Sequence, residues 1–373
     1  MHLSVSSILI SILLASALIV IMQWMLSHRA AYKALRIDFL SIFAIIIGLR
    51  LFLPFEFINT HTISSHKVLP VIYAMGNQQV RTPTASITVL NIFKIIWLVG
   101  FVIGLMKLIY DFGQFHKVVI NLEPVPNNYL APSVAKLIPE QVKLLYLPIR
   151  VSPFTLGVMQ PKIVLPKIQL TPTEQENIIK HELCHIRSYD VLKRYVIELL
   201  VCIYWWLPLI YLFRSQVNQI IEMNVDYQMV KKGSKTEYSK YVHSLMSVAS
   251  LIATQPQNSQ FNFPKFTINE QPTLEDRIFF LLEGYNVRHT SLFFKIVLVL
   301  LPLLITSVII EPEHYDRKDM EGTYSVIPSS HKNYILKKGD KYYLIVKGKN
   351  AGRLPNYTGA KDPKLKQLPV RSK

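Results

Sequence analysis

His181 and His185 stand four residues apart in the stretch ENIIKHELCHIRSYD, residues 176–190, and Glu182 directly follows the first. On an α-helix, positions i and i+4 share a face, so both imidazoles can reach one metal ion. Glu182 then sits beside the ion rather than on it, where its carboxylate can take a proton from a water activated by Zn2+. The pattern points to zinc-assisted hydrolysis of a peptide bond, and it works only on a helix. Thr171, Pro172 and Glu174 read as N-cap, N1 and N3 of a capping box, which predicts a helix over 172–187.

Two histidines leave one protein ligand missing. Glu222, in IIEMNVDYQ, is the candidate, with Glu176 and Glu198 as competitors. Asp226, one turn after Glu222, is expected to accept a hydrogen bond from a ligand histidine and so fix its tautomer. Cys184, inside the motif, lies off the shared face of the two histidines and is expected in the core, as is Cys202.

The elements that carry these residues sit in a greasy chain. Half of the 373 residues are hydrophobic and 17% are charged, against roughly 25% charged in an ordinary soluble domain. Four apolar runs, at about 5–26, 39–57, 86–112 and 292–310, are each long enough to cross a hydrocarbon core of about 30 Å. The first has neither a basic leader nor a small-residue cleavage site and reads as a retained helix. The loop SHRAAYKALR after it is basic, whereas residues 58–85 contain only Lys67 and Arg81. Lysine and arginine collect on the cytoplasmic side of spans, so both chain ends are expected outside and residues 113–291 in the cytoplasm. The net charge of +17 then reflects inner loops and a basic tail rather than nucleic-acid binding.

The expected architecture is four transmembrane helices, a cytoplasmic α+β metallopeptidase domain over 113–291, and a small extracytoplasmic tail over 311–373. In the domain, VKLLYLPIRVS and PKIVLPKI read as strands joined as a hairpin through the turn signals of SPFTLGVMQPK. Helices are expected to about 213 after Asp190, over 214–232 and 237–255, and in TLEDRIFFLLEGY. The apolar run 196–213 is long enough to span, but a crossing there would put the two histidines and Glu222 on opposite faces of the membrane. It is therefore expected to be buried or re-entrant. In the tail, NYILKKGDKYYLIVKGK predicts a hairpin around Gly339 and Asp340; the last twenty residues read as disordered.

RLFLPFEF, SPFTLGVMQPKIVLP, KHELCHIRSYD, YWWLPLIYL and EMNVD occur in an order that resembles the BlaR1/MecR1-like membrane metallopeptidases of the M56 family. The resemblance covers roughly residues 1–310. It implies three membrane helices, a cytoplasmic gluzincin-like zinc domain and a fourth helix. It also implies His181, His185 and Glu222 as ligands, Glu182 as the base, and the PKIVLP strand as the edge that pairs with substrate. This chain has Leu207 before Pro208 and Asn224-Val225 before the aspartate, where the family pattern differs. The tail is far smaller than a penicillin-binding sensor, which argues against direct β-lactam sensing.

The implied function is signalling by cleavage of a cytoplasmic transcriptional repressor, or of the chain itself near EGYNVRHTS, 283–291. The expected partners are the lipid bilayer, a protein substrate such as a winged-helix repressor, and a second copy in a homodimer. Two alternatives are a housekeeping membrane protease resembling the Ste24/HtpX group, and a signalling protein whose metal is purely structural.

Overall fold

The computed structural model describes residues 5–28, 37–53, 61–65, 68–81, 86–126, 128–147, 152–231, 233–253, 274–284, 296, 308–312, 334–339, 341–346, 349–354 and 368–372. They form two compact units, residues 1–63 with 75–310, and 64–74 with 311–373.

The larger unit opens with two apolar helices, α1 (Val5–Ser27) and α2 (Ile37–Phe52). A third, α3 (Val89–Ile120), begins where Thr88 caps the backbone N–H of Asn91. It runs 32 residues, past the expected end at 112, because no proline or glycine pair interrupts it there. Two helices among the described residues, Ser7–Ser27 and Val89–Ile120, are long and apolar enough to cross a membrane. The second apolar run, expected over 39–57, is a helix of 16 residues that ends at Phe52, shorter than those two, with 54–60 outside the described residues. Of the expected fourth span only residue 296 and 308–310 are described, and Val308–Pro312 is a strand rather than a helix end. The connector 285–291 also lies outside the described residues.

A four-stranded sheet follows: β1 (Glu123–Pro124), β2 (Lys143–Leu147), β3 (Phe154–Leu156) and β4 (Lys162–Pro166), ordered β1-β2-β4-β3. The two runs expected to form a hairpin instead pair in parallel, Lys143 opposite Lys162 through Leu147 opposite Pro166. The hairpin is β3 with β4, Phe154 opposite Val164. It turns at Gly157, whose φ of +75° and close approach to the Gln160 carbonyl exclude a side chain. β4 lies inside the sheet with both faces covered. Val164 packs with Phe115, Val119 and Phe154, while Ile163 and Leu165 pack with Ile179 and Leu183. That burial explains its unbroken apolar sequence.

Four helices follow the sheet: α4 (Pro172–Arg187), α5 (Asp190–Ile203), α6 (Pro208–Val230) and α7 (Lys235–Ala253). The capping box of α4 is complete: Glu174 N–H donates to the Thr171 hydroxyl and Thr171 N–H donates to the Glu174 carboxylate. The apolar run expected to continue to 213 breaks at 204–207, and Pro208 opens the next helix. Proline has no N–H to give to α5 but suits N1 of a new helix. The run 196–213 therefore forms a bent helical hairpin. Its inner face joins α1 and α2 in the largest core cluster, through residues such as Ile19, Phe43, Leu200 and Phe213. A last helix, α8 (Leu274–Gly284), packs on α6 through Phe280.

In the smaller unit, β5 (Tyr334–Lys338) and β6 (Lys341–Val346) form the expected hairpin, with Gly339 at φ +61°. β7 (Lys349–Leu354) extends it, and β8 (Val370–Ser372) pairs in parallel with β5, so the end of the chain is not without structure. Residues 355–367 lie outside the described residues.

Thr171→Ala removes the cap on the helix that bears both histidines. A loss of about 1 kcal/mol is expected, read as a lower unfolding midpoint with no loss of bound metal.

Candidate metal centre

α4 presents His181 and His185 on one face, with their Nε2 atoms 3.2 Å apart. α6 brings Glu222 against them, with its oxygens 3.5 Å from His181 Nε2 and 3.6 Å from His185 Nε2. All three are buried, and their ligand atoms lie within 4.8 Å of one another. These separations fit one ion about 2 Å from each donor, since tetrahedral bonds of that length put ligands about 3.3 Å apart. The competitors are elsewhere. Glu176 is half exposed and bound to Lys180, and Glu198 pairs with Arg214 in the helical hairpin. Cys184 donates to Gln228 Oε1 and Cys202 lies against Gly104, so both thiols face packing contacts.

Each histidine is held from behind by its Nδ1. His185 Nδ1 faces Asp190 Oδ2 at 2.8 Å. Asp190 opens α5 just after Tyr189, whose left-handed φ of 54° turns the chain back toward α4. His181 Nδ1 lies 2.9 Å from the Tyr241 hydroxyl, which donates to Asp226 at 2.6 Å. This corrects the direct bond expected for Asp226, which is 3.7 Å from His181. With the Tyr241 proton given to Asp226, the hydroxyl accepts from His181 Nδ1–H, leaving Nε2 free for an ion. Arg277, from α8, completes the relay by donating twice to Asp226 at 2.8 and 2.7 Å. Glu182 is 4% exposed and accepts a 2.6 Å hydrogen bond from Thr155 on β3.

The charge balance is tight. Burial would raise the Glu222 carboxyl, but His185, His181 and Arg277 hold it well below its usual range. Burial would lower His185, but Glu222 and Asp190 lift it to about 10. Burial next to Asp226 pushes the Tyr241 hydroxyl well up, so it stays a donor. Arg194 adds a 2.8 Å bond to Glu222 Oε1. An environment that raises an imidazole in this way favours positive charge between the carboxylates, which suits a cation.

These groups line a cleft of about 210 Å³. β3 flanks it on one side. On the other, α7 turns Tyr241, Ser244, Leu245, Val248, Ala249 and Ile252 toward it, at helical spacing. PKIVLP cannot receive a substrate strand, because β4 is paired on both sides; the sheet edge beside the cleft is β3. Sequence reasoning missed Thr155, Arg194, Tyr241 and Arg277. Asp190, five residues past the second histidine, is an acid close enough in sequence to be a legible signal for its role behind His185.

A buried two-histidine, one-glutamate centre with a neighbouring glutamate defines a metallopeptidase-like class. The sequence model of the BlaR1 peptidase M56 family matches residues 3–281, and the chain belongs to that family. It is 28% identical over 167 residues to the regulatory protein BlaR1 of Bacillus licheniformis, covering 43% of this chain and 28% of that protein. It is 24% identical over 185 residues to the methicillin resistance mecR1 protein of Staphylococcus aureus strain Mu50, covering 47% of this chain and 31% of that protein. The matched region thus spans less than a third of these curated relatives.

Tyr241→Phe leaves His181 Nδ1 without the Tyr241 acceptor and removes one of the donors to Asp226, which keeps Arg277. Affinity for zinc should fall about 10–100-fold, measured by competition with a chromophoric chelator. Asp190→Asn should act similarly through His185, whereas Cys184→Ala should leave affinity unchanged.

Proposed function

We propose that the chain is a membrane-bound zinc endopeptidase acting in signal transduction, with a cytoplasmic repressor or its own chain as substrate. The observation that carries this reading is the juxtaposition of His181, His185 and Glu222 with Glu182 in one cleft beside a sheet edge. Zinc bound by the first three would supply Lewis acidity and make water nucleophilic at neutral pH. Glu182, steadied by Thr155, takes a proton from the attacking water and returns it to the leaving amine. Asp190 and the Tyr241–Asp226–Arg277 relay keep both Nε2 atoms turned inward. An extended substrate adds to the free edge of β3, which aligns its backbone across the cleft.

Two helices with spanning length support a plasma-membrane setting. Between Lys94 and Lys107, α3 is apolar on all sides and largely exposed, with Ile95 55% and Ile103 57% accessible, which calls for lipid or another apolar cover. With the lysine and arginine distribution this supports a cytoplasmic metal site. The similarity to BlaR1 and mecR1 supports a regulatory role in which a protein is the substrate.

Glu182→Gln is the discriminating variant. Purified in nanodiscs, it should keep one zinc per chain and lose cleavage of itself or of a candidate repressor by about 10²-fold or more. Unchanged signalling in cells carrying it would point to a purely structural metal.

A further inference from the structure

We propose that the α5–α6 hairpin is sunk in the bilayer, with its tip at the hydrocarbon midplane, so that the metal cleft opens at the cytoplasmic membrane surface. This rests on the membrane reading given above. The tip is the corner at 204–207, and it is docked on α3 and α2. Trp97 Nε1 donates to the Ile203 carbonyl at 2.9 Å, and Trp205 Nε1 donates to the Trp97 carbonyl at 3.3 Å. A side chain at Gly100 would fall inside the Trp205 indole, so the absence of one lets the corner approach. The Tyr204 hydroxyl donates to the Leu51 carbonyl near the end of α2.

Depth follows from α3. Residues 95–106 carry no charge and are bounded by Lys94 and Lys107, whose amines can reach opposite interfaces. Gly100, and the corner resting on it, lie halfway between them. From there α5 runs antiparallel to α3, with Cys202 against Gly104 and Tyr195 against Phe112.

The hairpin surface matches that depth. From 196 to 215 the exposed residues are Val196, Trp206, Pro208, Tyr211 and Ser215, none of them charged. The two charged residues in this stretch, Glu198 and Arg214, face each other at 3.4 Å and are largely buried. Paired, inward-facing charge is what a hydrocarbon environment tolerates. Exposed charge returns at Lys193, beside Asp190. Glu222 is fourteen residues along α6 from Pro208, about 21 Å at 1.5 Å per residue. The midplane lies about 15 Å from the hydrocarbon edge. The metal centre therefore falls a few ångströms beyond that edge, among the headgroups, and a protein segment is cut where it lies against the membrane surface.

The test is nitroxide depth measurement in proteoliposomes, in a Cys184→Ala, Cys202→Ala background. Labels go at Trp206→Cys, at Val99→Cys as the spanning control, and at Lys193→Cys as the aqueous control. Collisions with oxygen relative to a water-soluble nickel chelate should be severalfold higher at 206 and 99 than at 193, with 206 as deep as 99. Nickel access at 206 with 99 shielded would overturn the hairpin placement alone. Nickel access at both would overturn the membrane reading of α3 as well. Should the cysteine-free background fail to fold, quenching of the native tryptophans by lipids brominated at mid-chain gives the same answer. Trp206→Phe must then reduce the quenched fraction, and an unchanged fraction would refute the placement.

Discussion

Glu222 has almost no contact with water, at 2% exposure, and neither has Asp226 at 0% or Asp190 at 2%. Burying an ionised carboxylate without partners costs several kcal/mol even after relaxation, so these acids dictate what surrounds them. Glu222 lies between two imidazoles and two guanidiniums, from Arg194 and Arg277. Asp226 is held by Arg277 and Tyr241, and Asp190 by His185 and Lys193. The raised pKa of His185 belongs to the same balance, since Glu222 and Asp190 favour positive charge on its ring.

That requirement explains why so many elements converge on so small a volume. α4 supplies the histidines, α5 the Asp190 and Arg194 partners, α6 both Glu222 and Asp226 one turn apart, α7 the tyrosine, and α8 the arginine that closes the relay. The sheet contributes through β3, whose Thr155 fixes Glu182. The bend at 204–207 is what allows α5 and α6 to return to the same end of the domain, carrying Glu222 back to the histidines it would otherwise leave.

The sequence made some of this legible because the signals were local. The capping box announced α4 to the residue, the i, i+4 histidines announced the face, and Gly339 marked the turn of the tail hairpin. Glu222 could be chosen because few acids occur in the apolar stretch that follows the motif. What stayed hidden was set by contacts between distant segments. The parallel pairing of β2 with β4 leaves no local trace, since a hairpin fits the same strands and turn residues. Tyr241 and Arg277 look like ordinary residues on polar helix faces until α7 and α8 dock on α6. Pro208 was visible, but the unbroken hydrophobicity around it favoured one long helix over two. Asp226 was assigned to the right neighbourhood and the wrong contact, because a tyrosine hydroxyl from 15 residues away fills the gap.

The central claim is that the buried acids and imidazoles form a nitrogen-and-oxygen cage for one zinc ion. X-ray absorption at the zinc edge of the protein purified in lipid measures this directly. Two imidazole nitrogens and one or two oxygens at about 2.0–2.1 Å are expected, with no sulfur. A scatterer at about 2.3 Å would make Cys184 a ligand, and a single imidazole would separate His181 from His185. Either result would contradict the account.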